Sequence, residues 1–228
     1  MPPTGTVYDA PDKKVLTKSI NSVKVTMLRK QGNHMTRAAN TDLPARILQE
    51  AERVVVKDGY QGINMRRLAN KVGVSATAIY HYFDSKEAIL RKLRIVAAEM
   101  LNDKIRAIDS RLQPEEFLAE LGRQYLAFAQ ENPNLYRLLF EAPFDEGVET
   151  EDHPVLYYTY LAARGALEKM ARVEPGLPDP RHLAMTGWMM LHGFCSLMMS
   201  GILPLAEGMT RESLQELFMS YYPSGPKG

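Results

Sequence analysis

One short stretch of the chain, residues 75–86, carries polar, aromatic and basic side chains suited to contacts with nucleic acid. The side chain of Thr77 can offer a hydroxyl to a base edge or a methyl to thymine, whereas Ala76 and Ala78 can make only apolar contacts. A phenol, an imidazole N–H or an ammonium group reaches phosphate oxygens. We therefore expect DNA contacts from this stretch, made by Ser75, Ala76, Thr77, Ala78, Tyr80, His81, Tyr82 and Lys86.

Two further polar residues, Asn64 and Arg66, stand at the start of the preceding predicted helix. We expect them to approach the DNA backbone from the other side of this stretch. A solvated face is the simpler interpretation of any one of these polar groups.

His192 and Cys195 lie three residues apart and suggest a metal site or a reactive thiol. Two such residues are insufficient without a third ligand or an orienting acid, so a hydrogen-bonded buried histidine is the expected arrangement. His153 stands in an acidic stretch and could bind a cation, but a solvated loop explains it equally well. We expect no metal, no cofactor and no enzymatic activity. An α-helical enzyme that uses His192 and Cys195 is the remote alternative.

The positions of Ala69, Gly73 and Ile79, at relative spacing 0, +4 and +10, predict a helix-turn-helix. Such a unit needs a small residue where two helices touch, a residue that tolerates positive φ in the turn, and an apolar residue that docks the second helix. The N-terminal residues of the second helix then lie at base edges in the major groove.

Apolar residues recur at helical spacing from Thr41 onward, and no alternating Val/Ile-rich stretch indicates a strand. The predicted class is all-α, with an N-terminal three-helix helix-turn-helix domain followed by a helical bundle. Asn64 is predicted to cap the second helix and Asp84-Ser85 the fourth, while Pro114 suits a first helical position. Ile89, Leu93, Val96 and Met100 form the predicted apolar stripe of the fourth helix. Further helices are expected near residues 155–173, 180–202 and 210–221.

The net charge of +1 conceals an uneven distribution along the 228 residues. Residues 1–40 carry +5, residues 41–95 carry +4, and residues 96–228 carry −8. A basic N-terminal part and an acidic C-terminal part indicate two regions with different functions.

We expect residues 1–40 to be a disordered basic arm, residues 41–90 a DNA-binding domain, and residues 91–228 a ligand-binding and dimerisation domain. A tail that contributes nothing, or a natural start at Met35, is the simpler interpretation of the arm. The single cysteine suits a reducing compartment, and we expect a cytoplasmic protein.

The run GVSATAIYHYFDSKE, Gly73 to Glu87, lies within residues 47–90, which resemble the tetracycline-repressor (TetR) family of bacterial regulators. Members of that family often carry Lys-Gly where this chain has Ala76-Thr77. The second half resembles the Trp-His-Gly type of C-terminal domain in that family, through Trp188 to Gly193 and through NPNLYRLLF, residues 132–140. The resemblance implies a homodimer joined by its last two long helices, with a ligand pocket in each C-terminal domain.

Methionines and tyrosines are frequent in the second half of the chain, which suits a pocket for lipophilic or aromatic molecules. We predict that the pocket is lined by Tyr125, Phe128, Tyr158, Trp188 and His192. Residues 182–206 contain no charged side chain and allow a membrane helix as an alternative, although a helix buried between dimer subunits explains them better.

These observations predict a ligand-responsive transcriptional regulator, most simply a repressor, that binds double-stranded DNA at a palindromic operator as a homodimer and is released by a small-molecule effector. The alternative is a DNA-binding regulator that is controlled by protein contacts and has no small-molecule ligand.

Overall fold

The computed structural model describes residues 43–143, 153–174, 176–202 and 208–222, and every regular element in these ranges is helical. The all-α class is therefore confirmed. In chain order the helices are α1 (Leu43–Asp58), a 3₁₀ turn (Tyr60–Gly62), α2 (Met65–Val72), α3 (Ala76–Tyr80), α4 (Lys86–Arg106), α5 (Pro114–Glu131), α6 (Pro133–Phe140), α7 (His153–Leu156), α8 (Tyr158–Ala171), α9 (Pro180–Ser200) and α10 (Arg211–Tyr221). The predicted arm, residues 1–40, lies outside the described residues.

The chain divides into two compact units. One boundary falls inside α4 between Val96 and Ala97, and residues 153–155 of α7 also belong to the first unit. The first unit contains α1, α2, α3 and the first part of α4. The second contains the rest of α4 together with α5, α6, α8, α9 and α10.

In the first unit, α1 packs against α2, and α2 packs against α3. The buried face of α1 follows the helical period and is formed by Leu43, Ile47, Ala51, Val54 and Val55. The guanidinium of Arg46 donates a hydrogen bond of 2.6 Å to the carbonyl oxygen of Val72, which ties α1 to the last residue of α2.

In the second unit, α5 contacts α6, α8, α9 and α10, and α8 and α9 also pack on each other. Pro114 occupies the first position of α5, as predicted, and the carboxylate of Glu116 accepts a hydrogen bond of 3.1 Å from the amide of Gln113. The buried face of α5 includes the whole side chains of Tyr125 and Phe128.

Two details differ from the expectation. The helix predicted near 155–173 is divided at Tyr157, whose φ of −99° and ψ of 9° leave helical geometry and begin α8. In α4, Met100 is 37% exposed, and the buried stripe continues instead through Ala97, Leu101 and Ile105.

None of the helices in the described ranges is long and apolar enough to cross a membrane.

Candidate nucleic-acid interface and aromatic cluster

The turn between α2 and α3 has the geometry that a helix-turn-helix needs. Gly73 adopts φ 78° and ψ 36°, a left-handed conformation that glycine reaches without steric cost. Its amide donates to the carbonyl oxygen of Ala69 at 2.9 Å, and the amide of Val74 donates to the same oxygen at 3.0 Å. Ala69 is 2% exposed and Ile79 is fully buried, so all three residues of the predicted spacing have their predicted roles.

Helix α3 begins at a serine cap and turns one polar side chain of its first turn to solvent. The Ser75 hydroxyl accepts a hydrogen bond of 3.1 Å from the amide of Ala78. Thr77 is exposed, whereas Ala76 and Ala78 are half-buried and Ile79 points into the core. Thr77 is therefore the polar side chain that the first turn of α3 presents to solvent.

Three aromatic side chains, one at the last residue of α3 and two just after it, face solvent. The helix ends at Tyr80, so His81 and Tyr82 stand in a turn rather than on a further helical turn. Tyr80 is 49% exposed and Tyr82 is 37% exposed, and the His81 ring packs edge-on against Tyr82 at a centroid distance of 5.2 Å. Phe83, the next residue, is buried and fixes the position of this turn.

Lys86 is the first residue of α4, where the amides of a helix N-terminus attract anions. Its ammonium donates one hydrogen bond of 3.3 Å to the carbonyl oxygen of Gln61. The Ser85 hydroxyl accepts from the amide of Ala88 at 3.2 Å, which confirms the predicted cap.

Asn64 caps α2, as predicted, because its side-chain oxygen accepts a hydrogen bond of 3.1 Å from the amide of Arg67. Its NH₂ group keeps its donors for other partners. Arg66 and Arg67 are both exposed on the first turn of α2. Arg66 is among the predicted DNA contacts and Arg67 is not, although two adjacent arginines at a helix start would both suit phosphate contacts.

In the second unit, five ring-bearing side chains from three helices form an aromatic cluster: Tyr125 of α5, Tyr136 and Phe140 of α6, and Trp188 and His192 of α9. The spacings 136–140 and 188–192 place each pair on one helix face. The Tyr136 hydroxyl lies 2.7 Å from Nδ1 of His192, and the two rings are stacked with an interplanar angle of 19°.

Two polar atoms of the aromatic cluster are buried without a hydrogen-bond partner in the part of the chain that the structure describes. They are the hydroxyl of Tyr125 and the indole Nε1 of Trp188. Burial raises the pKa of the Tyr125 hydroxyl, and the nearby Tyr136 hydroxyl and Trp188 indole oppose that shift without making a hydrogen bond of standard geometry. Burial also raises the pKa of Tyr136, so both phenols remain protonated.

Comparison with known proteins agrees with this architecture. The family profile described as "Bacterial regulatory proteins, tetR family" matches residues 47–93, which contain the helix-turn-helix. The profile described as "Tetracyclin repressor-like, C-terminal domain" matches residues 118–220, which contain the aromatic cluster. The chain belongs to the TetR family.

Individual relatives of this TetR-family chain share low sequence identity with it or match only part of its length. The nucleoid occlusion factor SlmA of Glaesserella parasuis is 32% identical over 36% of this chain and 41% of its own length. An uncharacterised HTH-type transcriptional regulator of Mycobacterium tuberculosis is 24% identical over 69% of this chain and 70% of its own length. The transcriptional regulator FadR of Bacillus subtilis, solved in complex with stearoyl-CoA, shares the fold with a TM-score of 0.61 at 18% identity, covering 81% of this chain and all of that one. The chain thus spans less than half the length of the first relative.

Of the five residues predicted to line a pocket, Tyr125, Trp188 and His192 meet in the aromatic cluster. Phe128 is fully buried in α5, and Tyr158 lies under the guanidinium of Arg106, 4.7 Å from its ring centroid. The prediction missed Tyr136 and Phe140, which complete the cluster, and Tyr157 and Tyr160, whose rings contact Trp188 at 5.9 and 6.4 Å.

A cleft of about 760 Å³ opens elsewhere in the second unit, lined by residues of α5, α6, α9 and α10. None of the five predicted ligand residues lines it. Its lining combines thioethers with guanidinium groups, among them Met198, Met199, Met219, Arg123, Arg137 and Arg211.

The pair His192 and Cys195 does not have the geometry of an activated thiol. Cys195 is buried, and this burial raises the pKa of its thiol to about 12, so the thiolate is scarce near neutral pH. Nδ1 of His192 is engaged by Tyr136. Among the described residues no group of three or more His, Cys, Asp or Glu side chains could hold a metal ion. Residues 144–152, the acidic stretch before His153, lie outside the described residues.

Proposed function

We propose that this TetR-family chain is a ligand-responsive transcriptional repressor that acts in the cytoplasm, binds a palindromic operator as a homodimer and is released by a small lipophilic or aromatic effector. Residues 41–90 would read the DNA, and residues 91–228 would bind the effector and form the dimer. The observation that carries the proposal is the exposed face of α3 and the turn after it, built on a helix-turn-helix of confirmed geometry.

On this face, one set of residues would contact the bases and another set would contact the phosphates. Thr77 would meet base edges, flanked by Ser75, Ala76 and Ala78, because the first turn of the second helix enters the major groove. The phosphate contacts would come from exposed or helix-terminal groups on either side, namely Tyr80, His81, Tyr82, Lys86, Asn64 and Arg66.

The homodimer is supported by exposed apolar side chains on the last two helices. Met185, Met189 and Leu197 of α9 are 39%, 58% and 42% exposed, and Leu217 of α10 is 44% exposed. The α9 residues are separated by four and eight positions, so they form one stripe on the helix surface. An apolar stripe of this kind suits an isologous interface with a second copy.

The effector response is supported by the aromatic cluster in the second unit. A site lined by aromatic rings with a few polar atoms is typical of pockets for small apolar molecules. The neighbouring fold of Bacillus subtilis FadR was solved with stearoyl-CoA, a lipophilic ligand of that protein. An effector can shift the equilibrium between DNA-binding and released states only by its difference in affinity for the two. Helix α4 begins at Lys86 in the first unit and ends in the second, and it is the proposed link.

The proposal is tested by measuring fluorescence anisotropy of duplexes that carry the palindrome of the promoter beside the gene, at several salt concentrations. Expected is sequence-specific binding that weakens with salt, because counterions are released from phosphates. Lys86→Gln should weaken binding to every duplex and reduce the slope of log affinity against log salt by about 1. Lys92→Gln, which removes an exposed charge further along α4, is the matched control and should retain the slope.

Equal affinity for the palindrome and for a scrambled duplex would contradict the proposal. Specific binding that no lipophilic or aromatic compound releases would favour the alternative regulator controlled by protein contacts.

A further inference from the structure

The two unpartnered polar atoms of the aromatic cluster restrict which hydrogen-bonding groups the effector can carry. An indole nitrogen can only donate a hydrogen bond, so the group that satisfies Nε1 of Trp188 must be an acceptor. The Tyr125 side chain is completely buried and its phenol is protonated, so its hydroxyl also has a proton to donate. A buried donor without a partner costs free energy that an incoming acceptor recovers.

The two donors lie close to each other. The indole of Trp188 is near enough to the Tyr125 oxygen to lower the pKa of that phenol, against the dominant effect of burial. One acceptor oxygen could therefore receive both hydrogen bonds. The Tyr136 hydroxyl donates its proton to Nδ1 of His192, so it is not a third donor to that acceptor oxygen.

The electrostatic surroundings favour an uncharged ligand. Within the described residues, the groups that perturb the ionisation of Tyr125, Tyr136, His192 and Cys195 are each other, Trp188, Tyr222 and the carboxylate of Glu141, and none of these is a cation. Burial lowers the pKa of His192, so its ring is neutral near pH 7. A carboxylate ligand would be desolvated here, and none of these groups supplies a counter-ion.

The rings around Trp188 provide a surface for an apolar body. Phe140, Tyr157 and Tyr160 contact its indole at centroid distances of 6.3, 5.9 and 6.4 Å. Tyr157 is 42% exposed whereas the indole nitrogen is buried, so the aromatic surface extends from solvent toward the two donors. An aromatic or alkyl body could pack along it while its acceptor reaches the buried end.

Building on the proposed effector response, we infer that the effector is a neutral molecule with an aromatic or alkyl body and a carbonyl oxygen, and that this oxygen accepts hydrogen bonds from Nε1 of Trp188 and the hydroxyl of Tyr125. Ketones, esters and amides belong to this class. Carboxylates and plain hydrocarbons do not.

The test uses the full chain without DNA and three matched ligand series: phenyl ketones, the alkylbenzenes, and the phenylalkanoates with the same number of carbon atoms. Kd is measured by titration calorimetry. Because Trp188 is the single tryptophan of the chain, a change in protein fluorescence places the ligand beside it. We expect each ketone to bind about tenfold more tightly than its alkylbenzene, and the carboxylate to bind more weakly than the ketone.

Tyr125→Phe and Trp188→Phe each remove one donor and keep an aromatic ring. Each should reduce the advantage of the ketone over the alkylbenzene by about threefold or more, without lowering the stability of the free protein, since the lost group had no partner. Tyr60→Phe is the control, because it removes the hydroxyl of a half-buried tyrosine of the first unit, outside the aromatic cluster. It should leave all three Kd series unchanged.

The inference is overturned if ketones bind no better than alkylbenzenes, if carboxylates bind as well as ketones, if both donor variants keep the ketone preference, or if none of the three series binds. These ligand-binding measurements use the chain without DNA, so they do not depend on the operator. Loss of specific DNA binding would overturn the proposed function and leave the ligand preferences as measured.

Discussion

The hydroxyl of Tyr136 and Nδ1 of His192 meet at 2.7 Å and join α6 to α9 across 56 residues of sequence. Tyr136 is fully buried, and its phenol remains protonated, so it can donate this hydrogen bond to an unprotonated Nδ1. The bond and the stacked rings fix the orientation of His192 within the aromatic cluster. This contact positions one wall of the proposed effector site.

Tyr136→Phe should destabilise the chain by about 1–2 kcal/mol, because it leaves Nδ1 of the half-buried His192 without its donor. Chemical denaturation monitored by circular dichroism measures this difference. Tyr222→Phe is the control, since its hydroxyl is buried but has no comparable histidine partner in the described residues. An equal loss of stability in both variants would show that the Tyr136–His192 bond contributes nothing specific.

His192 should make the chain sensitive to mild acid. Burial lowers its pKa in the folded state below the ordinary value of 6.5, so below about pH 6.5 the unfolded chain binds a proton that the folded chain does not. The free energy of unfolding should therefore fall as the pH decreases from about 6.5 toward the lower folded-state pKa, and it should be unaffected by this group above that range.

Unfolding free energies of His192→Gln should show a smaller decrease over this pH interval than those of the unaltered chain. His182→Gln is the matched control, because His182 is exposed on the same helix. If the unfolding free energies of His192→Gln and His182→Gln depend on pH in the same way, His192 is not the source of the acid sensitivity.

The helix-turn-helix could be predicted from sequence because its determinants are local. The cap at Asn64, the turn at Gly73 and the docking residue Ile79 each act on neighbours within a few residues, and all three were predicted. The cap at Ser85 and the helix start at Pro114 were predicted for the same reason.

The aromatic cluster could be predicted only in part, because it depends on contacts between distant helices. Residue type suggested Tyr125, Trp188 and His192, but nothing in the local pattern pairs His192 with Tyr136. The exposure of Met100 shows a related limit. Ala97 and Met100 lie three residues apart, on neighbouring stripes of the α4 surface. The hydrophobic pattern favours the larger methionine for the core, but Ala97 is the buried residue.

Gly122 should tolerate no larger side chain, because it faces one edge of the buried Tyr222 ring. A Cβ at this position would lie 2.8 Å from Cε1 of Tyr222 and 3.0 Å from the terminal methyl of Met219. Gly122→Ala should therefore destabilise the chain by about 1–2 kcal/mol in spite of the better helix propensity of alanine. Denaturant midpoints measure the change.

Gly187 is a matched control, because it faces the opposite edge of the same ring with more room. A Cβ there would lie 3.4 Å from Cε2 of Tyr222, an ordinary van der Waals distance. Gly187→Ala should be neutral or stabilise the chain by up to about 1 kcal/mol. Equal effects of the two substitutions would contradict this account of the Tyr222 packing.

Met189→Lys should weaken the proposed dimer, since a two-fold interface would receive the new charge twice. The residue is 58% exposed in the single chain, so the substitution should have little effect on the fold itself. We expect the mass from light scattering to fall toward one chain at low concentration and operator affinity to fall at least about tenfold. Val173→Lys, at an apolar residue 78% exposed outside α9 and α10, should leave both unchanged. A dimer that survives Met189→Lys intact would place the interface elsewhere.

Thr77 should read thymine through its methyl group. Ser75 is committed to capping, Ala76 and Ala78 are half-buried, and α3 carries no Arg, Lys, Asn or Gln for a bidentate contact with guanine or adenine. Replacing the contacted thymine of the operator by deoxyuridine removes only the base methyl. The loss should be about 0.8 kcal/mol, or about fourfold in Kd. Competition anisotropy with singly substituted duplexes measures it at each position.

Two substitutions separate the methyl of Thr77 from its hydroxyl. Thr77→Val keeps the methyl and should keep the sensitivity to deoxyuridine, whereas Thr77→Ser keeps only the hydroxyl and should bind both duplexes alike, at the level of the unaltered chain on deoxyuridine. Because the Thr77 side chain is exposed in the first turn of a five-residue helix capped by Ser75, neither change should alter the fold. If Thr77→Val loses specificity and Thr77→Ser retains it, the hydroxyl is the reading group and thymine is recognised through its O4 acceptor instead.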